Sequence, residues 1–163
     1  VGIIALTLGL AIFLGALSGS RDIFQPLSAF ASSSASSDPE GAGGTLEFQK
    51  ITSLAELDAQ LQAANGRYVM LDFWADWCVS CKEMELFTFT DSKVRARLKD
   101  VVLIKADVTA NNAADQALLR RFGLFGPPGI IFFDRQGEEI DFQVVGFQSA
   151  KKFLRSLDIA IPL

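Results

Sequence analysis

The apolar run Tyr68-Val69-Met70-Leu71-Asp72-Phe73-Trp74 leads into Trp77-Cys78-Val79-Ser80-Cys81-Lys82, and this junction constrains the fold more than any other stretch. A near-continuous apolar run of that length is the pattern of a strand buried on both faces. Cys78 and Cys81 are the only cysteines of the chain. Residues at i and i+3 share one face of a helix, so a helix starting at Cys78 brings the two sulfurs within reach of a short-loop disulfide. A strand that runs into C-x-x-C at a helix start reads as a redox dithiol. The unpaired N–H groups and positive dipole density at that helix start stabilise a thiolate.

Three plainer readings compete. A structural disulfide with so short a loop constrains the unfolded chain little, which makes it a poor staple. A zinc site usually needs four Cys or His ligands, whereas this chain has two cysteines and no histidine; no metal is expected. The third is a pair of unpaired core cysteines. The redox reading is the one taken forward, with the Cys78–Cys81 pair itself as the redox group and no separate cofactor.

Half of the 163 residues are hydrophobic, and much of that excess sits at the front. Residues 1–20 carry no charge, and at 1.5 Å per residue they suit a bilayer-spanning helix. Gly2, Gly9, Gly15 and Gly19 are tolerated in such helices. The rival is a secretory signal peptide with Ala29-Phe30-Ala31 as its cleavage site. Against it, no basic segment precedes the run, and the run is long for a signal. On either reading the domain that follows is expected to face an oxidising, non-cytosolic compartment. Residues 21–44 read as a linker; from 28 to 44 it holds six serines, three glycines and Pro39, too little apolar surface to fold. The net charge is −4, with no basic stripe of the kind nucleic acid requires.

From residue 45 to 163 the composition is that of a globular domain. A short strand is expected at 46–51. Ser53-Leu54-Ala55-Glu56 matches a capping box and opens a helix to about Ala64, ended by Asn65-Gly66. Strands follow at 68–74 and 101–107, separated by a helix from Cys78 to about Phe87 or Phe89 and a short one at 92–98. A helix at 113–122 is capped by Asn111 or Asn112. Strands at 130–134 and 141–145 form a hairpin around Arg135-Gln136-Gly137, and an amphipathic helix at 149–157 closes the domain. This order predicts an α/β fold, a mixed central sheet with helices on both faces.

These residues carry a resemblance. The segment from Asp72 to Lys82 resembles the thioredoxin active-site segment, and Gly126-Pro127-Pro128-Gly129 fits the proline loop that precedes a late strand in that fold. Tyr68 to Lys82, Thr88-Phe89-Thr90-Asp91, Ala106 to Asn111 and Ile131-Phe132-Phe133-Asp134 are together similar to the C-terminal periplasmic domain of the DsbD family, bacterial transmembrane thiol:disulfide interchange proteins. The resemblance implies a thioredoxin-like fold and a protein-disulfide reductase in the inner membrane, with residues 45–163 in the periplasm. Electrons would come from the membrane core of the same protein, and ultimately from cytoplasmic thioredoxin. They would pass to an N-terminal periplasmic domain and to periplasmic disulfide proteins. Two other functions stay open: a membrane-tethered thioredoxin for cytochrome c maturation or thiol repair, and a thioredoxin-fold binding module with a dormant dithiol.

Cys78, at the helix start where a thiolate is exposed and stabilised, is the expected nucleophile, and Cys81, one turn in, the more buried resolving thiol. Trp77 is expected to shield the sulfur pair. Asp72 is the odd residue of its strand; burial should raise its pKa. By resemblance it matches the buried aspartate of thioredoxins, which helps move the resolving cysteine's proton, and Glu85 matches a glutamate bordering the site. Pro128 matches the cis-proline that receives a partner's backbone. Pro127 departs from that pattern, because it stands where an N–H normally bonds the incoming peptide and proline has none. Gly129 also departs, replacing a larger residue. Asp72, Asp76, Glu83 and Glu85 against Lys82 make the surroundings acidic, which disfavours thiolate and leads to the expectation of an electron donor with a thioredoxin-like potential.

Overall fold

The computed structural model describes residues 46–162. The expected span at 1–20 and linker at 21–44 lie outside the described residues. Among the described residues no helix is long and apolar enough to cross a membrane.

Five strands form one mixed sheet in the order β1-β3-β2-β4-β5. β1 (Gln49–Ile51), β3 (Val102–Asp107) and β2 (Val69–Trp74) are parallel. β4 (Gly129–Phe133) runs antiparallel to β2, and β5 (Glu139–Val145) antiparallel to β4. β2 occupies the centre because its side chains are apolar on both faces; Val69 to Phe73 are all buried. β5 alternates exposed and half-buried residues, as an edge strand should. Its hairpin turns on Gly137 at φ 82°, while the Asp134 carboxylate accepts the N–H groups of Gln136 and Glu138.

The helices begin where side-chain oxygens meet free N–H groups. α1 (Leu54–Ala63) is capped by Ser53, whose Oγ accepts the Glu56 N–H. The Glu56 carboxylate reaches one residue further back than a capping box requires and takes the Thr52 N–H at 2.6 Å. α3 (Ser92–Leu98) starts on Asp91, and α4 (Ala113–Arg121) on a reciprocal Asn112–Asp115 capping box. α5 (Ala150–Ala160) runs three residues beyond its expected end, because Ala160 and Ile161 are still buried against the core.

Two differences from expectation matter. β1 is three residues rather than six. Leu46 and Phe48 leave the strand and pack on the core, with the Phe48 and Phe89 rings 5.7 Å apart. The helix from the C-x-x-C is also not continuous. α2 (Val79–Glu83) passes into a π-helical turn over Met84–Thr88, closed by the Phe89 N–H on the Met84 carbonyl at 2.9 Å. The wider turn keeps Met84 and Thr88 both inward, where each holds Gln148: its N–H reaches the Met84 sulfur at 3.3 Å, and its carbonyl accepts the Thr88 hydroxyl at 2.5 Å. Ser156 completes this buried group through the Gln148 side chain.

The sheet separates two cores. Leu71, Phe73 and Ile104 meet Leu57, Leu118 and Phe122 on one face. Met70, Ile130 and Phe132 meet Val94, Phe153 and Leu157 on the other. Phe153 is fully buried and meets Phe89 edge to face, ring centres 5.7 Å apart. Truncation leaves a cavity that rigid neighbours on the sheet cannot fill. Phe153→Ala is therefore expected to cost about 3–5 kcal/mol in urea unfolding. A loss below about 1 kcal/mol would show that α5 does not close this core.

Candidate active site

The carboxyl end of β2 delivers the chain to the site. There Ala75-Asp76-Trp77 turns, closed by the Cys78 N–H on the Ala75 carbonyl at 3.0 Å. The loop after β3 holds this turn. Thr109 Oγ1 accepts the Asp76 N–H at 2.9 Å, and the Thr109 carbonyl accepts the Trp77 indole N–H at 3.1 Å. Asp107 in turn accepts both the N–H and the hydroxyl of Thr109. Trp77 is thus pinned at one edge while its residue stays 59% exposed. Thr109 escapes a reading by sequence neighbours, since it stands some thirty positions from the residues it holds.

Cys78 is the residue that caps α2, and its Sγ accepts the Cys81 N–H at 3.1 Å. The two cysteines are joined as a disulfide, with Cα atoms 5.3 Å apart. Cys81 Sγ lies 3.9 Å from the Phe73 carbonyl oxygen, an acceptor for the thiol once reduced. Cys81 is the more buried, as expected. Cys78 differs from the exposed nucleophile of the expectation: it is itself only 6% exposed, against 2% for Cys81.

Asp72 is buried, and desolvation raises its pKa from the ordinary 3.8 to about 7. The Lys105 ammonium opposes that rise, and the Glu85 carboxylate adds to it. The register explains the company. Asp72 pairs with Lys105 across β2 and β3, so the two side chains leave the same face. Lys105 forms an ion pair with Glu85 from the π-helical turn and stacks over the rings of Phe48 and Trp74, at 4.9 and 5.4 Å. Glu85 and Asp72 therefore meet around one cation.

Lys105 is the residue that sequence reasoning misses. Its signal is a lysine in the buried run 101–107, matching the aspartate in the buried run 68–74. It corrects the acidic balance expected around the dithiol. Glu85 is paired with Lys105, and Asp76 with Lys82 at 3.3 Å. Asp72, with its raised pKa, is only partly ionised at neutrality. Glu83, half-buried, is in no ion pair among the described residues, so charge counting does not support a donor over an oxidase.

Pro128 follows a cis peptide bond from Pro127. Gly129, next in the chain, pairs with Phe73, the residue whose carbonyl faces Cys81. The proline loop and the dithiol therefore share one end of the sheet. The Pro128 carbonyl accepts the Gly146 N–H at 3.0 Å. A Cβ at Gly129 would lie 2.6 Å from Leu124 Cδ1, so any side chain there would oblige Leu124 to shift.

The raised pKa of Asp72 sets a pH dependence. The folded state holds this proton more tightly than the unfolded chain, so between about pH 4 and pH 7 the native protein binds the extra proton. Its contribution to stability therefore falls as pH rises through that window and is flat above it. The slope is at most about 1.4 kcal/mol per pH unit. Asp72→Asn should remove this component, so that the variant gains on the wild type as pH increases. Urea titrations of both disulfide forms from pH 4 to pH 8 measure the difference; parallel curves would mean that Asp72 titrates normally.

The sequence profile of the thioredoxin-like domain family matches residues 55–161. The thiol:disulfide interchange protein DsbD of Ralstonia nicotianae is 52% identical over 163 residues, 99% of this chain and 26% of that protein. DsbD of Yersinia pestis is 50% identical over 113 residues, 69% of this chain and 19% of that protein. The chain thus spans about a quarter or less of these curated relatives. Among solved structures, the oxidised C-terminal domain of Neisseria meningitidis DsbD matches with a TM-score of 0.55 at 37% identity, covering 65% of this chain and 90% of that one. The chain belongs to the thioredoxin-like domain family and, within it, to the C-terminal domains of the DsbD thiol:disulfide interchange proteins.

Proposed function

We propose that the domain is a protein-disulfide reductase that relays electrons from a membrane-embedded dithiol of its own protein to disulfides on the periplasmic side. The observation that carries this reading is the Cys78–Cys81 pair closed at the start of α2, beside the Pro127–Pro128 loop, in a chain of this family. In the outward step the reduced Cys78 thiolate attacks one sulfur of a partner's disulfide and expels the other as thiolate. The mixed disulfide is resolved when the Cys81 thiolate attacks Cys78 Sγ. That bond closes the internal disulfide and releases the partner as a dithiol.

Asp72 is the base for the resolving step. A carboxyl with a pKa of about 7 is half ionised at neutrality, so it can take the Cys81 proton and return it on the next cycle. Burial sets that value, with Lys105 lowering it and Glu85 raising it. Cys78 is protected from adventitious thiols by its low exposure, and its thiolate is favoured by the Cys81 N–H. The acceptors in this reading are an N-terminal periplasmic domain of the same protein and other periplasmic disulfide proteins. Cytoplasmic thioredoxin is the ultimate donor. Residues 1–20 tether the domain to the bacterial inner membrane.

Cys78→Ser should reduce disulfide reduction to background. Cys81→Ala should accumulate a covalent complex with a disulfide substrate, joined through Cys78. Alkylation followed by peptide mass mapping reads the linkage. A wild-type intermediate joined through Cys81 would reverse the two roles.

A further inference from the structure

The loop between α4 and β4 presents a side chain that neither the dithiol chemistry nor the core uses. Phe125 is fully exposed, at 107% of its reference area. It is not a loose end. On one side the chain is anchored to the end of α4: Gly123 takes φ 65°, and the Leu124 N–H bonds the Leu119 carbonyl at 2.9 Å. On the other side Gly129 is paired with Phe73, and the Pro128 carbonyl with Gly146. Leu124 is buried, its methyls occupying the space that a side chain at 129 would need. Tucking Leu124 inward leaves the next residue facing out. The glycine at 129 thus permits the loop conformation that displays Phe125.

The second observation is chemical. Pro127 precedes the cis Pro128, and it has no N–H to offer a partner's backbone. Neither proline of this loop can donate a main-chain hydrogen bond, and the Pro128 carbonyl is already taken by Gly146. Apolar side chains are displayed instead: no charged residue occurs from Gly123 to Phe133, and exposed Trp77 and Val79 flank Cys78, next to the exposed Asp76–Lys82 ion pair.

We propose that Phe125 is the specificity-determining residue of the reductase. It recognises a protein disulfide with large apolar residues beside it and replaces the hydrogen bond that Pro127 cannot make. This rests on the function proposed above. The bond chemistry is unchanged, since Phe125 touches the partner's flank and not its sulfurs.

The test uses the 163-residue chain, reduced, against two disulfide-linked peptide dimers identical except for leucines or serines flanking the cysteine. Bis(2-hydroxyethyl) disulfide serves as a small disulfide with no flank. The wild type should reduce the leucine dimer about tenfold faster than the serine dimer at subsaturating concentration, through a lower KM. Phe125→Ala should lose that preference while keeping its rate with bis(2-hydroxyethyl) disulfide, and Phe125→Leu should retain most of it. Because the ring is exposed, the alanine variant removes no core contact; a circular dichroism spectrum matching the wild type checks this. A wild type that reduces both dimers equally overturns the proposal and leaves the reductase intact. An alanine variant slowed equally on all three substrates makes Phe125 a support of the loop, which also overturns it. A wild type inactive on all three sinks the reductase reading, and this one with it.

Discussion

In-register parallel pairing of β2 with β3 is the constraint on which the site depends. Six consecutive residues pair, from Val69 with Val102 to Trp74 with Asp107. A slip of one residue would turn every side chain to the opposite face. The apolar residues forbid that, since both strands are buried throughout their centres. The same register sets Asp72 beside Lys105 and brings the loop after Asp107 against the turn that carries Trp77 and Cys78. Catalytic geometry here follows from strand packing, with no separate scaffold.

Two opposing effects meet at Asp72, and their order decides what the group can do. Removal from water favours the neutral acid, while a neighbouring ammonium favours the anion. Desolvation is the larger effect, so the carboxyl titrates near neutrality. Were Lys105 free, its attraction would be stronger in this low-dielectric surrounding. Its ion pair with Glu85 divides the cation between two carboxyls. The aromatic rings of Phe48 and Trp74 hold the ammonium in place at little cost in hydration.

Much of this is legible in the sequence, for definite reasons. The buried strands declare themselves because apolar residues must occupy both faces, and the C-x-x-C because its spacing is helical. Asp72 stands out as the charge that an apolar run cannot tolerate unmodified. The resemblance of Gly126-Pro127-Pro128-Gly129 to a proline loop locates the cis bond. What stays hidden is long-range. Lys105 joins the site through strand pairing, twenty residues from Glu85, so a count of charges near the cysteines in sequence omits it. Thr109 acts through its backbone as much as its side chain, which no residue preference reveals. The break in the helix after Glu83 comes from Gln148, sixty residues away, and local helix propensity at Met84–Thr88 shows no sign of it.

That π-helical turn has a bearing on how such chains diverge. A π turn contains one residue more than the α-helical path it replaces. The surplus is taken up between Met84 and Phe89, downstream of both cysteines and upstream of α3. Chain length here can therefore change by one without moving either sulfur. A relative lacking the residue would need a single gap near position 86 in any correct superposition. It would also lose the inward placement of both Met84 and Thr88, and the main-chain N–H and carbonyl at 148 would then lack these partners. The identities at 84 and 88 are accordingly expected to change together with the gap.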